Sequence, residues 1–160
     1  MYKRQDKNFP WKEAGFGRDR KISSWKKLGI ISRNKKFMAS DNTKATLLLP
    51  QGLKGPKFLA YSNYNIYLKW NDSFIYTVTA AHLASRFSGQ KKFLSNKPEK
   101  ILSLEKMIKL QKILQSNGYN VGKVDGILGR QTRQSVRSIQ IKLGLPADSW
   151  PTDDLLNILN

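Results

Sequence analysis

The clearest hydrophobic pattern of the chain lies in its last third. From Leu104 onward, apolar or glutamine residues recur at intervals of three and four, the spacing of one face of an α-helix. Ser103 precedes this run as a helix cap, and Asn117 with Gly118 follows it as a left-handed stop. The sequence therefore predicts a helix whose inner face comprises Leu104, Met107, Leu110 or Gln111, and Leu114.

Two further helices are predicted downstream. One opens near Gly129 and ends at Gly144, and its inner face comprises Val136, Ile139, Gln140 and Leu143. The other is capped by Thr152 and carries Asp153 and Asp154 in its first turn, where the positive end of the helix dipole favours carboxylates. Its apolar side comprises Leu155, Leu156, Ile158 and Leu159. Three short helices are expected to enclose one small core.

The connection between the first two of these helices is rich in glycine. The chain must reverse twice within about a dozen residues, which requires positive φ angles or close backbone approach. An aspartate, Asp125, precedes one of the glycines and predicts a turn. The glycines expected to supply this freedom are Gly118, Gly122, Gly126 and Gly129.

The front of the chain predicts a mixture of short elements. The segment SSWKKLG, residues 23–29, predicts a brief helix capped by Ser23 or Ser24 and ended by Gly29. A strand is predicted over ATLLLP, residues 45–50, and is stopped by its proline. The aromatic-rich run PKFLAYSNYNIYLKW, residues 56–70, is expected to be extended. The fold class is therefore expected to be α+β, mainly α.

One more helix is predicted over WNDSFIYTVTAAHLASRF, residues 70–87. Asp72 or Ser73 is a suitable cap, and the apolar run is too long for an ordinary strand. Because this helix is apolar on most sides, we expect it to be buried. His82, the only histidine of the chain, lies within it and is expected to be a packed, neutral residue. No metal site or cofactor is expected, since no second ligand lies at metal spacing.

A linker is predicted over SGQKKFLSNKPEK, residues 88–100, which combines glycine, proline, serines and mutually repelling lysines. The expected organisation is a front portion over residues 1–87, this linker, and a C-terminal module over residues 101–160. A chain of 160 residues with 39% hydrophobic residues has room for such a two-part globular arrangement.

The net charge of +18 points to a polyanionic partner: nucleic acid, acidic lipid headgroups, or a cell wall with free carboxylates. Residues 1–100 hold 21 of the 29 basic and 6 of the 11 acidic residues, a net +15, which leaves +3 for residues 101–160. Only 8 of the basic residues are arginine, and no recognition-helix stripe is present, so specific nucleic-acid binding is not expected. The chain contains no cysteine, no signal-peptide pattern and no run long enough to span a membrane.

The segment LQKILQSNGYNVGKVDGILGRQTRQSVRSIQIKLGLPAD, residues 110–148, resembles the peptidoglycan-binding module of bacterial cell-wall enzymes. The family pattern runs from a leucine-glutamine helix through G-Y, x-G, D-G, x-x-G and x-x-T to a helix that ends in F-Q and G-L. Ile139 stands where the family usually has an aromatic residue, and Ser149 where it usually has glycine. The matching positions are Leu110, Gln111, Leu114, Gly118, Tyr119, Gly122, Asp125, Gly126, Gly129, Thr132, Val136, Gln140, Gly144 and Leu145.

The front portion resembles the tail of the catalytic domain of membrane-bound lytic murein transglycosylase B. The resemblance rests on Pro10, Trp11 and Glu13, on WKKLGI and LLLPQGLKGPKFLAYSNY, and above all on Trp70-Asn71-x-Ser73-x-x-Tyr76, where the family carries aromatic-N-x-S-x-x-Y. It implies the tail of a lysozyme-like domain, followed by a three-helix peptidoglycan-binding module. It also implies a bacterial cell-envelope or periplasmic location.

The family cleaves the glycan between N-acetylmuramic acid and N-acetylglucosamine with one glutamic acid, which acts first as acid and then as base, and it forms a 1,6-anhydro sugar. That residue lies within a G-x-E-S/T motif upstream of the matched segment. Of the three glutamates of this chain, Glu13 matches a position outside that motif, Glu99 lies in the predicted linker, and Glu105 lies in the first helix of the module. No catalytic residue is therefore assigned, and the chain alone is expected to be inactive.

The resemblance places Trp70, Asn71 and Tyr76 at the wall of the family's glycan cleft. A sugar offers a C–H face to an aromatic ring and an acetamido group to an amide, which agrees with these residue types. The residues alone favour a core role, since aromatics in such a run are usually packed inside. For the module, the expected wall contacts are Tyr119, Asp125 and Arg130, within a segment that is a structural signature first.

Three functions follow for testing. The first is peptidoglycan binding, through glycan strands and stem peptides, by the C-terminal portion of a B-type lytic transglycosylase. The second keeps the enzyme and places its catalytic half upstream or on a separately encoded chain. The third is non-specific, salt-sensitive binding of nucleic acid, which the charge alone would produce. The front hundred residues are expected to be marginally stable by themselves, because an apolar helix would leave an exposed patch.

Overall fold

The computed structural model describes residues 9–32, 37, 39–92 and 97–160. The residues group into two compact units, Met1–Pro98 and Glu99–Asn160. The predicted linker falls partly outside the described residues, at 93–96. Helices predominate over a small sheet, so the prediction of an α+β, mainly α fold is confirmed. None of the helices within the described ranges has the length and apolar content needed to cross a membrane.

The front unit is built on a three-stranded antiparallel sheet. Its strands are β1 (Asp19–Lys21), β2 (Lys44–Leu48) and β3 (Phe58–Tyr61), in that spatial order. In the central strand, Thr46 lies opposite Asp19 on one side and Ala60 on the other. Every residue of β2 after Lys44 is buried, which explains why the ATLLL segment is almost entirely apolar. A short 3-10 helix, Trp11–Glu13, precedes the sheet.

Helix α1 (Ile22–Lys27) follows β1 directly, so the prediction of a Ser23 or Ser24 cap is wrong. Lys21 occupies the cap position and provides no side-chain hydrogen bond. The first N–H groups of the helix, those of Ile22 and Ser23, donate instead to the carbonyls of Thr43 and Asp41. Because the approach to β2 already satisfies these donors, no capping side chain is needed.

The prediction of one extended run over residues 56–70 is also wrong in its second half. After β3 the chain turns and forms α2 (Tyr64–Trp70). Tyr64 is buried and Leu68, one helical turn later, is partly buried against the same cluster. The aromatic residues that suggested a strand therefore follow a helical spacing here, with Tyr64 and Leu68 on the inner side.

Helix α3 (Phe74–Phe87) is capped by Ser73, whose hydroxyl accepts a hydrogen bond from the Tyr76 N–H at 3.4 Å. The predicted Ser73 cap is confirmed, but the prediction that this helix is buried is wrong. Only Phe74 and Thr77 are fully buried. The sheet and α2 cover one side of α3, and the apolar residues on its other side remain exposed.

The second unit contains the three predicted helices, α4 (Leu104–Ser116), α5 (Arg130–Lys142) and α6 (Asp153–Leu159). Ser103 and Thr152 cap α4 and α6 as predicted, and Gly129 occupies the cap position of α5. These helices enclose one hydrophobic cluster. Its buried members are Leu102, Met107, Leu110, Leu114, Val121, Leu128, Val136, Ile139, Trp150, Leu155 and Leu156.

Three residues assigned to inner faces lie outside this core. Leu104, Leu143 and Ile158 are exposed. Leu104 belongs to the first turn of α4, N-terminal to the buried turns of the helix, and lies against Gly126 of the connecting segment. Leu143 follows the last turn of α5, and Leu145 packs against the core in its place.

The four glycines of the connecting segment differ in backbone conformation. Gly118, Gly122 and Gly126 have φ angles of 80°, 72° and 76°, as predicted for left-handed turns. The prediction is wrong for Gly129, whose φ is −76° and beside which a Cβ would meet nothing within 4 Å. Ser149 has a φ of 63°, the only positive value among the described non-glycine residues. It occupies the position at which the resembling family usually has glycine.

Candidate functional site

Two exposed aromatic rings meet at the junction of α2 and α3. Trp70 is the last residue of α2 and is 71% exposed, while Tyr76 lies in the first turn of α3 and is 45% exposed. Their ring centroids are 5.5 Å apart, with an angle of 50° between the ring planes. The structure thus brings two of the three predicted glycan-cleft residues together at the surface.

The third of these residues, Asn71, sets the geometry of the junction. Its backbone N–H donates to the Tyr67 carbonyl at 2.9 Å and ends α2. Its side-chain Oδ1 accepts a hydrogen bond from the Ser73 N–H at 2.8 Å, and the Ser73 hydroxyl then caps α3. The N-x-S pattern is therefore a turn followed by a cap, and it positions Tyr76 beside Trp70.

A buried pair of hydrogen-bonded side chains connects the two helices at this junction. The Tyr64 hydroxyl and Thr77 Oγ1 lie 2.7 Å apart, and Thr77 Oγ1 also lies 2.9 Å from the Phe74 carbonyl. Burial raises the pKa of Tyr64, and the hydrogen bond to Thr77 partly offsets this rise. The pair ties α2 to α3. Sequence reasoning missed both residues, although a threonine within an apolar helix was a signal of a buried hydrogen bond.

The three glutamates of the chain lie in different environments. The Arg20 guanidinium donates to Glu13, and this hydrogen bond holds the pKa of Glu13 below its ordinary value despite partial burial. Glu99 is half-buried, and Glu105 is exposed in the first turn of α4. A general acid at neutral pH needs a raised pKa, so the pairing of Glu13 is opposite to that requirement.

His82 is half-buried rather than fully packed. Its ring centroid lies 5.8 Å from that of Phe58. Burial, and then the neighbouring Arg86, lowers the pKa of His82, which favours the neutral form that the sequence predicted. Within the described ranges, no group of three or more potential metal-ligating side chains is present.

In the C-terminal unit, one buried glutamine organises the glycine-rich crossover. Gln111, on α4, accepts a hydrogen bond from the Gly126 N–H at 2.8 Å through its side-chain oxygen. Its Nε2 lies 3.1 to 3.4 Å from four acceptors. These acceptors are the Lys123 carbonyl, Asp125 Oδ1, the Ile127 carbonyl and Thr132 Oγ1. One buried side chain of α4 thus forms hydrogen bonds with several parts of the loop that carries the family signature.

The predicted wall contacts of this unit have different environments. Tyr119 is half-buried against the module core, and Arg130 is exposed at the start of α5. Asp125 is exposed, but its carboxylate accepts hydrogen bonds from the Ile127 N–H and from Gln111. The bond from Ile127 is the largest cause of the lowered pKa of Asp125. Asp125 therefore holds the turn that its position before Gly126 predicted.

A second glutamine plays the equivalent part at the other end of the module. Gln140 Nε2 donates to Asp148 Oδ1 at 2.8 Å and to the Trp150 carbonyl at 3.2 Å, and Gln140 Oε1 accepts from the Ser149 N–H at 2.9 Å. The buried guanidinium of Arg133 lies 5.5 Å from the Trp150 ring. Burial lowers the pKa of Arg133 to about 10, against the attraction of Asp148. The sequence placed Gln140 on the inner face but did not predict this network.

Comparison with known families decides the assignment of the chain. The family described as "Transglycosylase SLT domain" matches residues 2–85, more than half of the chain. The chain belongs to the transglycosylase SLT domain family. A second match, to a "Putative peptidoglycan binding domain", covers residues 103–159 of this SLT-family chain.

Solved structures extend the likeness over the whole SLT-family chain. SltB3 from Pseudomonas aeruginosa, in complex with NAG-NAM-pentapeptide, is 33% identical and aligns with 100% of this chain at a TM-score of 0.77. The same protein in complex with NAG-anhNAM-pentapeptide is 34% identical, aligns with 98% of the chain and has a TM-score of 0.76. The chain covers 44% and 43% of those SltB3 chains, respectively.

A curated relative matches a shorter part. The spore cortex-lytic enzyme of Bacillus cereus is 48% identical over 44 residues, which are 28% of this chain and 17% of the enzyme. The SLT-family chain therefore spans less than half the length of the proteins it resembles. The chain is related to proteins that act on the cell wall. It matches a transglycosylase domain and a peptidoglycan-binding domain.

Proposed function

We propose that this chain binds peptidoglycan in the cell envelope as the C-terminal portion of a membrane-bound, B-type lytic murein transglycosylase. Its partners are the glycan strands and stem peptides of the wall. The observation that carries the proposal is the peptidoglycan-binding-domain match over residues 103–159, in a unit whose signature loop is fixed by Gln111. A loop held in one conformation loses little entropy when it binds a ligand, which favours affinity.

The front unit contributes a second contact with the glycan. Trp70 and Tyr76 offer two exposed ring faces, and such faces suit the C–H surface of a hexose. Asn71 uses its amide oxygen within the turn, so its amide NH2 is the group oriented by that turn and suited to donate to an acetamido carbonyl. The three residues together offer apolar walls with one polar anchor, the usual composition of a small-molecule site.

In the module, Tyr119, Asp125 and Arg130 remain the proposed wall contacts. Arg130 is exposed and carries the charge best suited to a stem-peptide carboxylate. Asp125 acts chiefly by holding the turn at Gly126, since its carboxylate accepts hydrogen bonds from the Ile127 N–H and from Gln111. Substitution of Arg130 is therefore expected to weaken binding directly, and substitution of Asp125 to weaken it through the loop.

The same proposal assigns no catalytic residue to the chain. The hydrogen bond from Arg20 lowers the pKa of Glu13, and Glu105 is exposed on α4. Protonation of a glycosidic oxygen requires a carboxylic acid with a raised pKa, positioned against the sugar. We infer that the chain alone binds murein without cleaving it.

A second candidate function is participation in an active lytic transglycosylase that cleaves MurNAc-GlcNAc bonds. The transglycosylase-domain match over residues 2–85 favours it, together with the likeness to SltB3, which was solved with NAG-NAM-pentapeptide and with NAG-anhNAM-pentapeptide. In this case the catalytic glutamate belongs to further polypeptide, and the present chain supplies part of the glycan cleft and the wall anchor.

Sedimentation with purified sacculi tests the first proposal. The chain is expected to pellet with sacculi at moderate salt and to release no anhydromuropeptides detectable by mass spectrometry. Trp70→Ala should weaken retention by about tenfold if the ring stacks on a sugar, a loss of about 1.4 kcal/mol. Ile66→Ala is the matched control, because Ile66 is equally exposed on α2. Failure of the wild-type chain to pellet would refute wall binding, and release of anhydromuropeptides would refute the inactive assignment.

Retention by net charge alone must be distinguished from recognition of peptidoglycan in this experiment. A net charge of +18 will retain the chain on any polyanion, including the nucleic acid of the third hypothesis. If the chain recognises peptidoglycan itself, excess DNA at physiological salt should leave most of the sacculus-bound chain in place. Complete displacement by DNA would favour the non-specific alternative.

A further inference from the structure

The glycine-rich crossover of the C-terminal unit holds one apolar side chain in water on a fixed backbone. Ile127 is 65% exposed, while Leu128 after it is buried in the core. The Ile127 N–H donates to Asp125 Oδ1 at 2.9 Å. Its carbonyl accepts from the Gly129 N–H at 2.9 Å and from Gln111 Nε2 at 3.1 Å. Because the backbone is held on both sides, this loop loses little entropy when a ligand covers Ile127.

A second exposed apolar side chain lies at the same place. Leu104, in the first turn of α4, is 62% exposed. It lies over Gly126, the residue before Ile127, so closely that a Cβ on Gly126 would overlap it. The missing side chain at Gly126 therefore lets α4 bring Leu104 to the loop that carries Ile127. We call Leu104 and Ile127 the loop-tip patch.

A cation borders the loop-tip patch. Arg130 is exposed and begins α5, three residues after Ile127. The hydrogen bond from the Gly129 N–H to the Ile127 carbonyl closes a tight turn between them, which keeps the two residues near each other. A guanidinium pairs with carboxylates in a bidentate manner. The surface therefore suits a ligand that carries a small apolar group beside a carboxylate.

The chemistry of peptidoglycan restricts which group this is. The lactyl carboxyl of its muramic acid is consumed by the amide bond to the stem peptide, so the free carboxylates belong to the peptides. The terminal D-alanine is the residue that carries a methyl group and a free carboxylate on the same carbon. Sugar rings are better matched by flat aromatic faces than by branched aliphatic side chains.

We propose that the loop-tip patch and Arg130 bind the C-terminal D-alanine of a stem peptide. Its methyl group contacts Leu104 and Ile127, and its carboxylate pairs with Arg130. The proposal rests on the peptidoglycan binding proposed above. It specifies which part of the wall this surface of the module recognises, and it adds two apolar residues to the proposed contacts.

Calorimetric titration of the full chain tests the carboxylate contact. The probes are a soluble disaccharide pentapeptide that ends in D-alanine and the same compound with a C-terminal amide. Amidation should weaken binding to the wild-type chain by about tenfold and to Arg130→Gln by less than about twofold. Lys142→Gln removes the same charge at the other end of α5 and should retain the tenfold effect. An equal effect of amidation on Arg130→Gln and on the wild-type chain would overturn the proposal.

The methyl contact is tested with a probe whose terminal D-alanine is replaced by glycine. This change should weaken binding to the wild-type chain about fourfold, the value of one buried methyl group. Ile127→Ser or Leu104→Ser should abolish the preference for alanine, and Ile127→Val should keep it. Ile141→Ser, at an exposed position about 16 Å along α5 from Arg130, is the matched control and should also keep it. Unaltered preference in both serine variants of the patch would contradict the proposal.

Each comparison uses two probes on one variant, so an effect of the substitution on folding does not imitate the result. Sacculus sedimentation then distinguishes this proposal from the one on which it rests. Pelleting of the wild-type chain without measurable binding of the pentapeptide, or without discrimination between the probes, would refute only the D-alanine contact. The expected discrimination without pelleting would refute wall binding by the chain and leave the D-alanine contact intact.

Discussion

Helices α3 and α4 are matched in length and capping but differ in burial. They span 14 and 13 residues, and each begins with a serine whose hydroxyl accepts a hydrogen bond of 3.4 Å from the N–H three residues later. Helix α4 buries Met107, Leu110, Gln111 and Leu114 on one face, whereas α3 buries only Phe74 and Thr77. The helix with the higher apolar content is therefore the more exposed of the two.

The difference shows that periodicity is a better guide to burial than apolar content. In α4, lysines separate the apolar positions, so a single side can face the core and the other can face water. In α3, apolar residues surround the helix, and the sheet and α2 can cover only one side of it. Apolar residues left over on such a helix stay at the surface.

The largest expected effect compares one leucine from each helix. Leu114→Ala removes a fully buried side chain and should cost about 3–4 kcal/mol, including the cavity that it leaves. Leu83→Ala removes an exposed side chain and should change stability by less than about 0.5 kcal/mol. Amide hydrogen exchange of the two helices in the full chain measures both values. Equal losses in α3 and α4 would show that Leu83 is covered, contrary to the structure.

The next largest effect concerns the polar residue that α4 buries. Gln111→Ala should destabilise the C-terminal unit by about 2–3 kcal/mol, because the Gly126 N–H and several carbonyls of the crossover lose their partner. Gln115→Ala, on the exposed side of the same helix, is the matched control and should be nearly neutral. Faster hydrogen exchange over residues 122–128 is the specific readout. Unchanged exchange there would remove Gln111 from its role as the organising side chain.

Two glycine substitutions test how closely the crossover approaches α4. Gly118→Ala should cost about 1 kcal/mol, since its φ is 80° and a Cβ would meet nothing within 4 Å. Gly126→Ala should cost about 2 kcal/mol, because its Cβ would also overlap Leu104 of α4. Urea titration followed by hydrogen exchange of the module separates the two variants. Identical costs would mean that Leu104 moves away freely and does not pack on the loop.

The smallest expected effect is a gain. Ser149 has a φ of 63° and is held by the hydrogen bond from its N–H to Gln140. Ser149→Gly should stabilise the module by about 0.5 kcal/mol, because the relief of left-handed strain exceeds the added entropy of the unfolded chain. Ser138→Gly, inside α5, should instead cost about 1 kcal/mol. Destabilisation by both glycines would show that the Ser149 backbone is not strained.

Local signals explain which elements were predictable. Ser73, Ser103 and Thr152 each lie directly before an apolar run, and all three are caps in the structure. The α1 cap was not predictable, because carbonyls about twenty residues away satisfy the N–H groups of Ile22 and Ser23. Helix α2 was missed because part of what holds it in place is the buried hydrogen bond between Tyr64 and Thr77 of α3. A contact between residues this far apart leaves no pattern in the local sequence.

Part of the candidate site was likewise predictable from the sequence, and part depends on the fold. The pattern of Trp70, Asn71 and Tyr76 was visible in the chain, but the 5.5 Å approach of the two rings depends on the Asn71 turn and the Ser73 cap. The positions of Gln111 and Gln140 were visible as inner-face residues. Their role as anchors of two loops depends on partners 8 to 21 residues away in the sequence.

The sequence by itself determined the three helices of the module, the left-handed turns at Gly118, Gly122 and Gly126, and the strongly basic front, since each depends on neighbours along the chain or on composition. Tertiary structure alone decided which apolar residues are covered, the lowered pKa of Glu13 beside Arg20, and the exposure of Phe87. Burial and pKa depend on distances across the fold, and a linear pattern limits these distances without fixing them.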